Sequence, residues 1–173
     1  MRHISLLLSL VALPVLAWAD PAPKTLTVTS DAFQANETIP TDYTCEGAQK
    51  SPPLSWSGVP SDAKSIAILV EDPDAPKGTF THWMVTNIPP SDTSLSENGS
   101  LPTGAVAAKN GKGTNGYAAP CPPSGTHHYH FSVFALDKTI ARPANRAAFM
   151  KEIKGHVLAK GELVGTYSKR AAK

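Results

Sequence analysis

Asp72-Pro73-Asp74 sets two carboxylates one residue apart. Proline fixes its own φ and biases the residue before it toward extended backbone, so both acids sit on a stiff segment and point the same way. Downstream, Thr81-His82-Trp83 and Gly125-Thr126-His127-His128-Tyr129 supply imidazoles. Taken singly these residues have plain roles: turn formation for Asp-Pro-Asp, a structural strand position for His82. Taken together, Asp72, Asp74, His82 and His127 have four chemical uses. The set suits a divalent cation such as Zn²⁺ or Mn²⁺, although its spacing is no metal signature. An imidazole can act as general base in a hydrolase. Against this, Gly-x-Ser-x-Gly is absent, and no motif marks Ser51, Ser124 or Thr126 as activated. A glycosidase pair is disfavoured, because acids so close on one loop would struggle to flank a sugar from both sides. The fourth use is a zwitterion: carboxylates attract an ammonium, while protonated imidazoles and loop N–H groups cradle a phosphate.

The elements that must hold these groups read as strands. Ser65 to Glu71 is an apolar run fit for a buried strand that ends at the acids. His82 to Ile88 is a second, with His82, Met84 and Thr86 on one face and Trp83, Val85 and Asn87 on the other. His127 to Leu136 is the longest. His127 shares a face with Tyr129 and Phe131, and His128 shares the other with His130. Bulk on both faces predicts a central strand. Lys24 to Ser30 alternates as a half-buried strand, and Glu162 to Tyr167 reads as a short final one. One helix is expected from Pro143, with Phe149, Met150, Ile153, Val157 and Leu158 as its stripe, Gly155 inside it and Gly161 at its end. Residues 40–64 and 89–123 read as loops, and the length of the second marks it as functional or mobile.

Sixteen prolines and twelve glycines suit a turn-rich β domain better than a helical bundle. Residues 1–19 read as a secretory signal: Arg2 and His3, an apolar run from Ile4 to Leu16, then Ala17-Trp18-Ala19 before the expected cut. The run is too short to span a membrane as an anchor, and no cysteine follows the cut to carry lipid. The expected mature chain, residues 20–173, is one soluble domain, periplasmic or secreted. Its 15 basic and 14 acidic residues nearly cancel once Arg2 is removed from the chain's 16 Lys and Arg. That balance argues against a nucleic-acid partner. Lys151, Lys154, Lys160, Lys169, Arg170 and Lys173 read as a solvated face. Cys45 and Cys121 form one disulfide or remain two buried thiols; the sequence leaves both open.

The motifs resemble the phosphatidylethanolamine-binding protein family, also called Raf kinase inhibitor-like proteins, in its bacterial YbhB/YbcL branch. The resemblance rests on Tyr43-Thr44-Cys45-Glu46-Gly47, Ser51-Pro52-Pro53-Leu54-Ser55-Trp56, Asp72-Pro73-Asp74-Ala75-Pro76 and Thr81-His82-Trp83. It continues through Gly116-Tyr117, Pro120-Cys121-Pro122-Pro123-Ser124-Gly125-Thr126-His127-His128-Tyr129, Gly155-His156-Val157-Leu158-Ala159 and Gly161 to Tyr167. It implies a mainly β fold, a large antiparallel sheet packed on a smaller one with a few short peripheral helices. It implies a small anion cavity lined by Asp72, Asp74, His82 and His127 and walled by Pro76, Trp83, Pro120 and Tyr129. It implies a binder or modulator without cofactor or metal, not an established enzyme class. The implied partner is a small anionic or zwitterionic ligand such as phosphate or phosphoethanolamine, or a phosphorylated or acidic protein segment. A homodimer is compatible with the sequence. A metal- or histidine-assisted hydrolase in the same cavity is the alternative. Two departures stand out. Glu46-Gly47-Ala48-Gln49 replaces the usual Asp-Gly-x-Asn, and Ala118-Ala119 replaces Gly-Gly. Alanine disfavours positive φ, so a stiffer or narrower rim is expected beside Pro120.

Overall fold

The computed structural model describes residues 22–169; the expected signal segment, Arg170 and Lys173 lie outside them. The strands are β1 (Lys24–Thr25), β2 (Thr27–Thr29), β3 (Leu54–Ser57), β4 (Ser65–Asp72), β5 (Phe80–Ile88), β6 (Ser94–Leu95), β7 (Val106–Ala107), β8 (Thr126–Leu136) and β9 (Val157–Ser168). One α-helix, α1 (Arg146–Ile153), and a 3-10 turn at Thr41–Tyr43 complete the elements. Six strands form the large sheet in the order β1-β9-β8-β4-β5-β7, and β2-β3-β6 form the small one. Every pairing is antiparallel except β1 with β9, so the large sheet is mixed, not wholly antiparallel.

β4 and β8 lie in the middle of the large sheet; β4 buries both faces and is nearly continuously apolar, whereas β8 buries both faces only from Val133 onward and alternates before it. One face meets the small sheet. There Ile66, Ile68, Val70, Trp83, Phe131 and Val133 pack with Val28, Leu54 and Trp56. The other face carries Ala67, Leu69, Met84, Phe134 and Leu136 against Phe149 and Ile153 of α1. Fully burying a side chain such as Ile68 or Phe131 contributes about 1.5–3 kcal/mol. β9 runs so close to its neighbours that it needs glycine twice. A Cβ on Gly161 would sit 2.2 Å from the Leu26 carbonyl oxygen, and one on Gly165 would sit 2.7 Å from Ile39 and Phe33.

Two irregularities in β5 matter for the site. The β4–β5 register runs from Val70 opposite Trp83 to Glu71 opposite Thr81, which leaves His82 as an extra residue in a bulge. A second shift lies at its other end, where Asn87 takes φ of 60° and its side chain bonds both the N–H and the carbonyl of Ile140. A bulge places two consecutive residues toward one face. His82 therefore shares a side with Trp83, contrary to strict alternation.

Other expectations shift with the packing. The segment expected as one strand over Lys24 to Ser30 divides between the sheets: Leu26 still donates its N–H to the Lys160 carbonyl of β9, and from Thr27 the chain pairs with β3 of the small sheet. α1 starts after the cap Asn145, whose side chain accepts from the Ala148 N–H, not at Pro143. It ends at Ile153, and Gly155 turns the chain with φ of 76°. Val157, Leu158 and Gly161 thus belong to β9 instead of the helix. The 89–123 segment holds the short strands β6 and β7.

Candidate functional site

The two acids of the turn take different sides. Asp72 ends β4 and is only 4% exposed. Its Oδ1 accepts the Asp74 N–H at 2.9 Å, which closes the turn on itself. Its Oδ2 accepts from His127 Nδ1 at 2.7 Å. Asp74 faces outward, and its Oδ2 accepts both the backbone N–H and the Nδ1 of His128 at 2.8 Å. Adjacent histidines of β8 point to opposite faces, so each acid of the pair captures one of them. The His128 hydrogen bonds are the chief reason that Asp74 titrates below its ordinary range.

His82 reaches the same place through the bulge. Its Nδ1 donates to the Ala118 carbonyl at 2.5 Å, and its ring meets Tyr129 and Phe80 edge-on with centroids 5.2 and 4.8 Å apart. A carbonyl only accepts, so the proton sits on Nδ1 and Nε2 is left for a ligand. Burial lowers the tendency of His82 to take a second proton. The Ala118 carbonyl and Asp72 work against that shift, and Lys112 adds to it. His127 is arranged alike, with Nδ1 committed to Asp72 and Nε2 left over.

Asp72, His82 and His127 line a cavity of about 240 Å³, with Pro76, Phe80 and Lys112 among its other walls. Ala119, Cys121, Pro122 and Pro123 close the opposite side. Such a volume lies below the roughly 300–1,000 Å³ of drug-sized ligand sites and suits a small group. Asp74 does not line it. Tyr129 is buried beneath the two imidazoles, its hydroxyl without a hydrogen-bond partner among the described residues. Trp83 is packed edge-on against Tyr117 in the core between the sheets, and Pro120 is buried with its carbonyl accepting the Cys45 N–H at 2.9 Å.

Cys45 and Cys121 are joined in a disulfide whose Cα atoms lie 5.3 Å apart. Together with the Cys45–Pro120 bond it clamps the 118–123 segment that fixes His82 and walls the cavity. Ala118 and Ala119 are both buried and neither has positive φ, so the rim here is built without the glycines. Lys112 and Phe80 were not singled out in the sequence. Lys112 rides a turn organised by the buried Asn110, whose Oδ1 accepts the Lys112 N–H at 2.9 Å. Asn-Gly-Lys-Gly signals that turn, but nothing local says where a turn lands. Among the described residues no group of three or more His, Cys, Asp or Glu side chains is placed to hold a metal ion.

Residues 29–168 match the family profile described as phosphatidylethanolamine-binding protein. The chain belongs to this family. Its relatives include a UPF0098 protein of Methanothermobacter thermautotrophicus, 48% identical over 142 residues that cover 79% of this chain and 94% of the relative. Another is a Mycobacterium tuberculosis protein named as a lipoprotein, LppC, 38% identical over 85% of this chain and 74% of its own length. Among solved structures, the phosphatidylethanolamine-binding protein homologue CT736 of Chlamydia trachomatis superposes with a TM-score of 0.80 at 38% identity, covering 85% of this chain and 99% of that one. E. coli YbcL, described as a member of the mammalian family, gives 0.78 at 36% identity, covering 84% and 99%. The two-sheet architecture is thus that of the phosphatidylethanolamine-binding proteins. Among the described residues no helix is long and apolar enough to cross a membrane.

Proposed function

We propose that this phosphatidylethanolamine-binding protein family member is an exported binding protein whose cavity takes a small anionic or zwitterionic group, a phosphate or phosphoethanolamine-like head. The same cavity would receive the phosphate of a modified protein segment, and through it the protein would modulate a partner. The observation that carries this reading is the pair of buried imidazoles, each with Nδ1 tied to a fixed acceptor and Nε2 left over in one small cavity. Asp72 orients His127 toward the cavity, while Asp74 holds His128 on the outer face of β8. Lys112 supplies a mobile positive charge over the opening. An imidazole that is neutral with its Nδ1–H engaged offers only a lone pair at Nε2, so an anion would bind there by bringing a proton or by protonating the histidine. Affinity therefore rises as pH falls through the imidazole range. Export is supported by the leader-like residues 1–19, by the disulfide and by the lipoprotein-named relative.

A hydrolase in the same cavity finds less support. No lining residue carries a hydroxyl, and Cys121 is bonded, so neither a serine-type nor a thiol nucleophile is available.

Calorimetric titration with phosphoethanolamine tests the reading, with inorganic phosphate for comparison. Saturable binding by the wild type is expected, with a loss of at least about tenfold in His127→Ala and none in His128→Ala, since one charge-assisted hydrogen bond carries roughly 1.5–3 kcal/mol. Equal binding by all three proteins, or affinity that stays flat between about pH 5 and pH 8, contradicts it.

A further inference from the structure

Phe80 is a wall with two sides. One side faces the cavity of Asp72, His82 and His127. The other faces a second groove of about 310 Å³ that also takes in Lys77, Lys109 and Arg146. The ring is held firmly. A Cβ on Gly111 would come within 2.5 Å of it, so the Gly111 backbone lies flat against one side, and the His82 ring meets it edge-on at 4.8 Å. The Gly111 N–H is itself bonded to the Thr81 carbonyl at 2.8 Å.

The groove is one-signed. Its lining holds three cationic side chains and no carboxylate. Arg146 is paired with Glu71 beside it, through both Nε and an Nη that lies 3.3 Å from the carboxylate. Lys77 and Lys109 are exposed and have no ion-pair partner among the described residues. Lys112, on the turn next to Lys109, overhangs the cavity itself. In a chain with a formal net charge of only +2, this is a local excess. A field of one sign beside a recessed site favours a ligand that extends its negative charge past the site.

We propose that the groove beyond Phe80 is a second binding site, for the acidic flank of a protein segment whose phosphorylated side chain occupies the cavity. Carboxylates on the segment pair with Lys77 and Lys109, while Phe80 separates the two compartments and sets the spacing between phosphate and acids. The proposal rests on the anion-cavity reading for its first half only. The groove's cationic lining stands independently of the cavity.

The test is fluorescence anisotropy with three labelled peptides and the Lys77→Glu/Lys109→Glu double variant, alongside phosphoethanolamine titration. One peptide carries phosphoserine flanked on both sides by glutamates, one the same phosphoserine flanked by glycine and serine, and one the glutamates with unmodified serine. An exposed ion pair contributes at most about fivefold, so two pairs should give the first peptide on the order of tenfold tighter binding than the second. That gain should vanish in the double variant and at roughly 1 M salt, where charges are screened within about 3 Å. The double variant should bind phosphoethanolamine within about twofold of wild type, as both lysines lie outside the cavity. A gain under about twofold, or one that survives the double substitution, overturns the proposal. If phosphoethanolamine fails to bind but the unphosphorylated acidic peptide binds the wild type and not the variant, the cavity reading falls and the groove stands. If neither binds, both fall.

Discussion

Asp72–His127 and Asp74–His128 are nearly the same contact made twice. The distances are 2.7 and 2.8 Å, the acids are two residues apart, and the histidines are neighbours on β8. Their settings differ. The first pair is 6–8% exposed at its side chains, the second 42–52%. Strand alternation alone creates that difference, by sending one imidazole under the Pro122–Pro123 wall and the other into water. In water the attraction is screened and the groups are free to hydrate, so the outer pair contributes about 1 kcal/mol or less. Inside, neither group can be left alone, and removal of one strands the other. Chemical identity of a pair therefore says little about its worth until its burial is known.

The largest effect should come from removing the wall that makes the difference. The disulfide spans 76 residues, and loop closure of that length corresponds to about 4–5 kcal/mol in the chain-entropy account. A Cys45→Ser/Cys121→Ser variant should lose on the order of 4 kcal/mol in guanidinium unfolding. Its His127 ring resonances should move toward those of His128, which should stay put. Unmoved His127 signals would show that the wall does not depend on the bond.

Next comes Asp72→Ala, which leaves His127 Nδ1 without its acceptor. A loss of about 3 kcal/mol is expected, with weakened anion binding. A loss under about 1 kcal/mol would erase the contrast with the outer pair.

The pH dependence sharpens the same contrast from the side of His82. Burial depresses its proton affinity in the folded state, so the unfolded chain binds that proton first. Stability from this group is complete above the ordinary imidazole value of roughly 6.5 and falls as pH drops below it. Urea unfolding at about pH 7.5 and pH 5 should show a steeper loss in wild type than in His82→Gln. Equal slopes would place the acid sensitivity elsewhere.

Asp74→Ala should do least: a change of about 1 kcal/mol or less at neutral pH. Because Asp74 titrates below its ordinary range, even that contribution should disappear as pH falls through the carboxylate range. A large loss would mean that the outer pair holds the turn that carries Asp72.

Much of this site could be read in the chain. Asp-Pro-Asp at a strand end and the alternation from His127 through Phe131 mark Asp72 and the inner imidazole because period-2 geometry is local; the two acids do not point the same way as expected, since Asp74 turns outward to both nitrogen donors of His128. The 65–71 run and the β8 face pattern gave the central strands for the same reason. Strict alternation puts His82 on the wrong face, because a bulge is decided by the partner strand and leaves no mark in Thr-His-Trp. Nothing in the sequence ties Lys112 to Phe80, since a turn and a strand end meet only through the tertiary path of the 89–123 segment. The helical stripe overruns the helix because Val157 and Leu158 fit a helix as well as a strand. Gly155 with positive φ settles that choice in favour of the turn. The cysteine pair stays open in the sequence for want of a distance; the Cys45–Pro120 backbone bond draws the two segments together and leaves the Cα atoms 5.3 Å apart.

The most direct test of the account is proton uptake on binding. In both imidazoles Nδ1 is engaged and Nε2 is the nitrogen left over, so an anion seated there needs a proton on a histidine or on the ligand. Titration of phosphoethanolamine at about pH 7.5, in two buffers that differ in ionisation enthalpy, measures it. Net uptake approaching one proton per ligand is expected, greatly reduced with the residual binding of His127→Ala. Tight binding with no uptake, or with release, would contradict it.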